Sequence, residues 1–326
     1  MPKVLDLLKQ ESAKAIEEAK RRILAEKIES KRAYEALQFY VTNWDDTTHP
    51  GFLGLGCEAV GGNIERAVPM QVVMLYLAAA MDLHDDVIDG SDVKNGRPTV
   101  YGKFGKDIAL LIGNAFFLKG FTLLEEYREN FQPHSFKAIV KAIEDSLVDV
   151  GNAHLLEVDL RGKTYTRPST YLLGLEKKAS IIGGLFQIGA ITGQGSKSKV
   201  DALRDYGKIL GTMIAVREEF IDVFEIDELR NRLECGPLPL PILYAIENPR
   251  VKSVLSILKT TSSDLATGDL TKELVDVVFE DRKVKKLVKS MRELSERALG
   301  IVGQLELQSD VGNELKLLAL AMLEDL

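Results

Sequence analysis

The chain has 326 residues, of which 45% are hydrophobic and 28% charged, and this composition excludes an intrinsically disordered protein. The formal net charge of −7 argues against a nucleic-acid partner, because no excess of lysine and arginine is present to neutralise phosphates. The two cysteines, Cys57 and Cys235, cannot form a disulfide framework and suit a reducing cytoplasm.

The N-terminal residues 1–27 have the pattern of a charged amphipathic helix and lack the apolar core of a signal peptide. The longest apolar runs, around Met70–Met81 and Ile181–Thr192, are shorter than the roughly 18 residues that span a bilayer. We therefore expect a soluble, cytoplasmic protein with at most peripheral contact to a membrane.

Helical periodicity dominates the chain, and no segment shows the alternation of a strand. The stretch Met70–Asp89 follows Pro69, contains no Gly or Pro and is apolar on most faces, which predicts a buried helix with a charged C-terminal end. Asp92–Thr99 has the composition of a loop. Further helices are predicted over approximately 107–127, 135–160, 169–193 and 200–227.

The segment GPLPLP, residues 236–241, cannot continue a helix and predicts a turn or connector. Residues 242–326 are again helical in pattern. The expected breaks in this region lie near Pro249, Gly268 and Gly312. Since no repeat or long linker divides the chain, we predict an all-α fold, a single large helical bundle over residues 1–326.

The segment LHDDVIDGSDVKNGRPT, residues 83–99, carries the clearest chemical signal. Asp85 and Asp89 are four residues apart, so a helix places them on one face with Asp86 beside them. Three carboxylates at the end of a buried helix repel one another unless a cation neutralises them. Oxygen ligands favour a hard cation such as Mg²⁺, which also recruits phosphate oxygens. A solvated acidic helix end is the alternative, but the apolar helix before the motif and the basic loop after it favour a metal.

LHDDVID followed by GRPT resembles the first aspartate-rich motif of the trans-isoprenyl diphosphate synthases, the polyprenyl synthetase family. The resemblance implies an isoprenoid-synthase bundle with a central cavity. It also implies that carboxylates on two facing helices hold Mg²⁺ ions, which clamp an allylic prenyl diphosphate. Loss of the diphosphate then leaves an allylic cation that a second substrate attacks.

The segment LGTMIAVREEFID, residues 210–222, is similar to the second aspartate-rich motif of that family. Glu218, Glu219 and Asp222 stand where three aspartates are usual, with the spacing of the first triad. The resemblance implies that these three residues are metal ligands and that they face the first triad across the cavity.

Two lysines align with cationic positions of the family. Lys178, which precedes ASIIGGLF, aligns with a lysine that binds the diphosphate. Lys94 aligns with the first member of an arginine pair that follows the first motif. The resemblance implies that both bind the allylic diphosphate.

The sequence departs from the family where isopentenyl diphosphate would bind. The Gly-Lys-Arg segment of the family is replaced by TTHPGF, residues 47–52, which has no Lys or Arg. Ala78 stands in place of a histidine, and Asn95 in place of the second arginine. Since a diphosphate needs cationic partners, we expect an acceptor other than isopentenyl diphosphate, or no acceptor.

The second motif departs from the family as well. Glu218 and Glu219 replace aspartates, Ala215 replaces a glutamine, and the usual Gly-Lys-x-Thr is GPLP at residues 236–239. A surface position is the default expectation for three arginines that are candidates to supply the lost positive charge: Arg217, Arg230 and Arg232.

The residues one and two turns before Asp85 bear on chain length, because bulky residues there close the hydrocarbon tunnel in the family and small ones open it. These residues are Tyr76, Leu77, Ala80 and Met81. The run of alanines 78–80 leaves room and predicts a prenyl chain of C15–C20 or longer, with tight helix packing as the alternative.

Three functions remain open on the sequence. The first is a prenyltransferase that passes an allylic chain to an acceptor other than isopentenyl diphosphate. The second is a terpene-synthase-like lyase that acts on one prenyl diphosphate, and the third is a non-catalytic partner subunit of a prenyl diphosphate synthase. The intact first triad favours the first two. The family is usually homodimeric, so we expect a homodimer through the apolar helices 107–127 and 135–160, or a heteromer with an active synthase.

Overall fold

Helices account for nearly all of the regular structure in the computed structural model, which describes residues 2–94, 96–163, 165–260, 264–307 and 309–324. The all-α prediction is confirmed. The helices are α1 Pro2–Leu24, α2 Lys31–Asn43, α3 Thr48–Glu58, α4 Val68–Asp89, α5 Val100–Phe104, α6 Lys106–Glu126, α7 Pro133–Leu160, α8 Pro168–Thr192, α9 Lys197–Ile221, α10 Ile226–Cys235, α11 Leu240–Ala245, α12 Pro249–Leu258, α13 Asp264–Glu280, α14 Arg282–Gln304 and α15 Ser309–Ala321.

Some predicted boundaries were wrong. The helix predicted over 200–227 ends at Ile221, and α10 follows after a turn, so Asp222 lies one residue past the end of α9. The breaks predicted near Gly268 and Gly312 do not occur, because α13 and α15 continue through these glycines. A helical glycine costs only about 1 kcal/mol relative to alanine, which is too little to end a helix by itself.

The C-terminal end of α4 positions the first aspartate-rich motif. Gly90 follows Asp89 with φ 67°, in the left-handed region, and its N–H donates to the carbonyl of Asp86. Glycine adopts this conformation without the clash of a Cβ, so it is favoured at the residue that ends a helix. The triad therefore occupies the last turn of a helix whose preceding turns are buried.

The segment after α4 forms a short antiparallel pair of strands, β1 Val93–Lys94 and β2 Arg97–Pro98, where the sequence predicted only a loop. Lys94 lies opposite Arg97 in this pair. An Asn-Gly dipeptide is strongly favoured between two strands that join in a tight hairpin, and residues 95 and 96 are Asn-Gly. Asn95 itself lies outside the described residues.

Close packing of α6 along α4 holds the motif in place. A Cβ added at Gly120 would lie 2.8 Å from Cδ2 of Leu77, so the absence of a side chain allows the two helices to approach. The rings of Tyr76 and Phe116 meet edge to face with centroids 5.5 Å apart. Since interiors of this density tolerate little displacement, α4 presents its last turn from a rigid support.

The described residues group into two compact units. The first unit consists of Met1–Lys141 and Leu185–Asp201, and the second of Ala142–Gly184 and Ala202–Leu326. The limits fall inside α7, α8 and α9, so each of these helices contributes residues to both units. The prediction of one domain over residues 1–326 stays a prediction.

Each unit has its own packed elements. In the first, α1, α3 and α6 pack on α4. In the second, α12 packs on α13 and α14 on α15, and the buried hydroxyl of Tyr206 donates to the carbonyl of Leu315 at 2.6 Å.

Among the described helices, α6 is long and apolar enough to cross a membrane by length and composition. Within its most apolar window, 39% of the residues are buried. The core helix of a water-soluble protein meets the same criterion, so this property alone is weak evidence. Asn114 and Lys119 interrupt the apolar residues of this helix, so the sequence by itself did not indicate a long apolar run here.

Candidate active site

Four aspartates cluster over the last two turns of α4. The predicted triad consists of Asp85, Asp86 and Asp89, and Asp82 lies one turn before Asp86. Asp86 is 6% exposed, and its burial, with the negative charge of Asp82, raises the pKa of its carboxyl to about 6. The charges of Asp85 and Asp89 act in the same direction. Asp82 and Asp85 are half-buried and Asp89 is exposed. Like charges grouped around a buried carboxyl are stabilised by a bound cation, so the cluster favours one.

Lys94 lies against this cluster, and its predicted role as a ligand of the diphosphate stays a prediction. Its Nζ donates to Oδ1 of Asp82 at 2.6 Å and lies 3.7 Å from Oδ1 of Asp86. The lysine is about half exposed, so its ammonium can still reach a ligand at the edge of the cluster. The contact with Asp82 was not predicted, although its spacing of four residues from Asp86 was a usable signal.

The first triad fits Mg²⁺ by its donor chemistry. Within the described residues, no three His, Cys, Asp or Glu side chains are grouped so that they could hold a metal by themselves. Mg²⁺ rarely requires such a group, since it commonly takes one or two carboxylates and completes its coordination with water and substrate phosphates. Asp85, Asp86 and Asp89 therefore suit a Mg²⁺ ion that arrives together with a diphosphate, and their metal binding stays a prediction.

A cavity of about 440 Å³ lies beside Asp86 in the first unit. Aromatic side chains of α2 and of the residue that follows it, Tyr40 and Trp44, form one part of its wall. Ala78 and Ala79 of α4 form another part. Ala78 stands where the family has a histidine, so the wall carries a methyl group in place of an imidazole at this point.

The cavity is acidic. Its lining contains four carboxylates and two permanent cations. The carboxylates are those of Asp45, Asp46, Asp82 and Asp86, and the cations are Lys94 and Arg97. Burial raises the pKa of the Tyr40 phenol well above its ordinary value, and the negative charges of Asp82, Asp46, Asp86 and Asp45 raise it further. The local field therefore opposes the entry of a second dianion.

An ion pair at the start of α3 occupies the place of the missing Lys-Arg segment. The Asp46 carboxylate accepts hydrogen bonds from the N–H groups of Thr48 and His49, and its Oδ2 lies 2.7 Å from Nδ1 of His49. Burial acts to raise the pKa of Asp46, but the imidazole and these N–H groups outweigh it and lower the pKa. The only imidazole in the cavity lining is therefore already paired with a carboxylate.

In the second motif, the guanidinium of Arg232 binds two of the three predicted metal ligands. Arg232 lies on α10, and its Nη2 donates to Oε1 of Glu219 at 3.2 Å and to Oδ2 of Asp222. Its Nε donates to Oε1 of Glu228 at 2.9 Å, and its Nη1 to the hydroxyl of Tyr171 at 2.7 Å. The expectation of a surface position for this arginine was wrong, since its side chain is 18% exposed.

Glu219 is the centre of this network and is 3% exposed. Besides Arg232, its carboxylate accepts hydrogen bonds from the Tyr171 hydroxyl and from the N–H of Leu240, both at 2.8 Å. Glu218 is exposed and lies on the side of Lys178. Glu219 and Asp222, bound to a guanidinium, do not fit a metal ion in this arrangement.

The family model for polyprenyl synthetases matches residues 31–276. The chain belongs to the polyprenyl synthetase family. The assignment confirms the resemblance seen in the sequence and the class of enzyme that it implied, a prenyltransferase.

Two proteins with similar sequences are named as prenyl diphosphate synthases. The geranylgeranyl diphosphate synthase of Methanosarcina mazei is 26% identical over 206 residues, which is 63% of this chain and 63% of that protein, a little less than two thirds. The short chain isoprenyl diphosphate synthase of Methanothermobacter thermautotrophicus is 25% identical over 285 residues, 85% of each chain.

The fold is that of solved members of the family. The structure of the geranylgeranyl pyrophosphate synthetase from Pyrococcus horikoshii superposes with a TM-score of 0.84 at 20% identity, covering 99% of this chain and 98% of that one. At this identity the likeness shows the fold, and it confirms the predicted isoprenoid-synthase type.

The second predicted diphosphate ligand of this family member, Lys178, lies in an ion pair. Its Nζ donates to both carboxylate oxygens of Glu157, at 3.1 and 3.3 Å. Its neighbour Lys177 pairs with Asp149 at 3.2 Å. The role of Lys178 towards a diphosphate stays a prediction, as does the expectation that the two triads face each other across one cavity.

The residues predicted to set prenyl chain length lie mainly on the α6 side of α4. Tyr76, Leu77 and Ala80 are buried, and Tyr76 and Leu77 adjoin Phe116 and Gly120 of α6. Met81 is partly buried. The described cavity is lined by the neighbouring alanines 78 and 79 instead, and the chain-length assignment stays a prediction.

Several site residues of this polyprenyl synthetase were not found from the sequence. Asp46 could have been recognised as a helix cap, since an aspartate shortly before a helical segment is a usual start signal. Tyr171 carried no local signal, because its contacts with Glu219 and Arg232 join positions 48 and 61 residues away.

We expect the Asp46–His49 pair to make the stability of the protein depend on pH. Burial acts to lower the pKa of His49, but the charge of Asp46 outweighs it and raises the pKa above the ordinary 6.5. The protonated imidazole therefore stabilises the fold fully below that value, and this contribution is lost as the pH rises through the raised pKa.

The free energy of unfolding of His49→Gln should accordingly fall below that of the wild type most clearly near about pH 5.5, and the difference should shrink towards about pH 8. Urea unfolding at a series of pH values measures the free energy of unfolding of both proteins. A difference that stays constant over this range would contradict the ion pair.

Proposed function

We propose that this member of the polyprenyl synthetase family is a Mg²⁺-dependent prenyltransferase of isoprenoid metabolism. It ionises an allylic prenyl diphosphate and transfers the prenyl group to an acceptor that carries no diphosphate. The names of the two relatives, geranylgeranyl and short chain isoprenyl diphosphate synthase, support a prenyl diphosphate as the substrate. The proposed location is the cytoplasm, with at most peripheral contact to a membrane.

The observation that carries the acceptor proposal is the acidic lining of the cavity beside Asp86. A diphosphate would meet Asp45, Asp46 and Asp82 there, and the two cations of the lining are partly used, since Lys94 is bound to Asp82. An uncharged or positively charged acceptor avoids this repulsion. Tyr40 and Trp44 in the lining would offer such a molecule apolar contact and, for a cation that reaches a ring face, a cation–π interaction.

The roles of the residues follow from their positions. Asp85, Asp86 and Asp89 would hold Mg²⁺, which supplies the positive charge that stabilises the departing diphosphate. Lys94, held in place by Asp82, can donate to a phosphate oxygen at the edge of the cluster. The aromatic wall and the alanines of α4 would border the prenyl group with apolar surface.

The test is turnover with labelled isopentenyl diphosphate and allylic primers from C5 to C20, in the presence of Mg²⁺. Each lost charge-assisted contact to phosphate is worth roughly 1.5–3 kcal/mol, so we expect incorporation at least about 100-fold below that of an elongating synthase. The variant Ala78→His with Thr47→Lys places an imidazole in the cavity wall and a lysine in the segment 47–52, and it should raise incorporation. Efficient incorporation by the wild type would show that the protein is an ordinary elongating synthase.

One observation favours a second candidate, the non-catalytic partner subunit. Arg232 binds two of the predicted ligands of the second motif, which a catalytic subunit would use for metal. The purified chain alone, incubated with Mg²⁺ and an allylic diphosphate, separates the candidates. Release of diphosphate supports an enzyme and rules out the partner subunit, and a prenyl alcohol or hydrocarbon product points to the lyase.

We expect the protein to be a homodimer that uses the exposed apolar row of α6. Leu111, Leu118 and Phe121 are 65%, 71% and 46% exposed and follow one face of the helix. Exposed apolar rows of this kind mark interfaces. Leu118→Glu should give a monomer by light scattering after size exclusion. Leu5→Glu, the same change at an exposed leucine of α1, should leave the dimer intact, and an unchanged mass of Leu118→Glu would rule out this face.

A further inference from the structure

The carboxylate of Glu219 has four donors in the structure. Oε1 accepts from the Tyr171 hydroxyl at 2.8 Å and from Nη2 of Arg232 at 3.2 Å. Oε2 accepts from the N–H of Leu240 at 2.8 Å and from Nη1 of Arg232 at 3.4 Å. A carboxylate has about four sites for acceptance, so these bonds leave Glu219 no free position for a metal ion.

The same guanidinium also serves Asp222 and Glu228. The bond to Asp222 comes from Nη2 and the bond to Glu228 from Nε, so all three nitrogens of the guanidinium donate to partners in this network. A guanidinium stays charged at any pH a protein tolerates, and its planar fork matches carboxylates in two directions. It is therefore a permanent cation, unlike an ion that exchanges with solvent.

Two local features of the chain bring Arg232 to this place. The turn after α9 is short, so Arg232 follows Asp222 by only ten residues on α10. The connector that replaces the usual Gly-Lys-x-Thr ends at Pro239, and α11 begins at Leu240. The backbone N–H of Leu240 then points at Glu219, where the longer glutamate side chain reaches it.

We propose that Arg232 is the resident cation of the second motif and that Glu219 and Asp222 of this family member bind no divalent metal. The inference deepens the proposed function, on which it rests for the metal at Asp85, Asp86 and Asp89. A metal ion at Glu219 would have to displace the guanidinium and leave the Tyr171 hydroxyl and the Leu240 N–H without an acceptor. Mg²⁺, which gives up its water reluctantly, gains little from that exchange.

The experiment counts Mn²⁺ ions bound per full-length chain by electron paramagnetic resonance, in the presence of inorganic diphosphate. Asp222→Asn, which keeps an acceptor for Arg232, should bind as many ions as the wild type. The double variant Asp85→Asn/Asp89→Asn should bind fewer. Arg232→Met should bind one ion more, and added Mn²⁺ should raise its melting temperature more than that of the wild type. The control Arg230→Met, two residues away on α10, should behave as the wild type.

Each departure from this pattern has a separate meaning. If Asp222→Asn binds fewer Mn²⁺ ions than the wild type, or if Arg232→Met gains none, the proposal is overturned. If Asp85→Asn/Asp89→Asn binds as many ions as the wild type, the metal role of the first motif in the proposed function fails instead. Should Arg232→Met not fold, Arg232→Gln with the same Mn²⁺ count decides, because glutamine keeps part of the hydrogen bonding without the charge.

Discussion

Asp86→Asn is expected to reduce diphosphate release from an allylic prenyl diphosphate at least about 100-fold, because it removes a charge from the group that holds Mg²⁺ against the leaving group. Asparagine has nearly the same shape as aspartate, so the cavity beside it should persist. Release of inorganic diphosphate under saturating Mg²⁺ measures the effect. The exposed Asp92→Asn, just past the end of α4, is the matched control and should retain its activity.

The same substitution should stabilise the fold in metal-free buffer. Burial and the charge of Asp82 raise the pKa of Asp86 from 3.8 to about 6, so the ionised carboxyl is unfavourable in the folded protein. Ionisation of Asp86 therefore lowers the stability of the wild type as the pH rises from about 4 to above 6, and this contribution is absent from Asp86→Asn. At 1.36 kcal/mol for each unit of pKa, the gain at pH 7 is about 3 kcal/mol.

Loss of turnover together with a gain of stability is the signature of a functional carboxylate, since a structural residue would lose both. Thermal unfolding with and without Mg²⁺ completes the comparison: Mg²⁺ with inorganic diphosphate should stabilise the wild type more than Asp86→Asn. Near-full turnover by Asp86→Asn would contradict the assignment of the first motif as a metal site.

Arg232→Met is expected to lower the free energy of unfolding by about 3–5 kcal/mol, the usual effect of removing one partner from a buried ion pair. Methionine keeps much of the apolar stem, so the loss reports mainly the uncompensated charges of Glu219 and Asp222. Arg250→Met, at an exposed arginine of α12, should change stability by no more than about 0.5 kcal/mol. Urea unfolding measures both.

A combined variant tests the physical reason. When Arg232→Met is joined with Glu219→Gln and Asp222→Asn, the buried charges disappear with the cation, and more than half of the lost stability should return. If the triple variant is less stable than Arg232→Met alone, the carboxylates are stabilised by something other than Arg232.

Much of the site could be predicted because its signals are local. The position of the first motif depends on the spacing of Asp85, Asp86 and Asp89 and on Gly90, which ends α4 in the left-handed region. Both features lie within six residues of sequence, where helical geometry alone relates side chains to one another. The absence of lysine and arginine from residues 47–52 could likewise be seen in the sequence, and it predicted a loss of positive charge.

The sequence by itself thus determined the helical class, the family and the first cluster of carboxylates, because each follows from periodicity or from short motifs. Only the tertiary structure decided which groups surround them. Asp46 and His49 line the same cavity as Asp86, although they precede it by nearly forty residues in the sequence. They come together because α3 packs on α4.

In the same way, Arg217, Arg230 and Arg232 were equivalent candidates in the sequence, and packing selected Arg232 by placing α8, α9, α10 and the start of α11 around Glu219. Charges interact through space with a strength set by distance and burial, and neither quantity can be read from a linear order of residues.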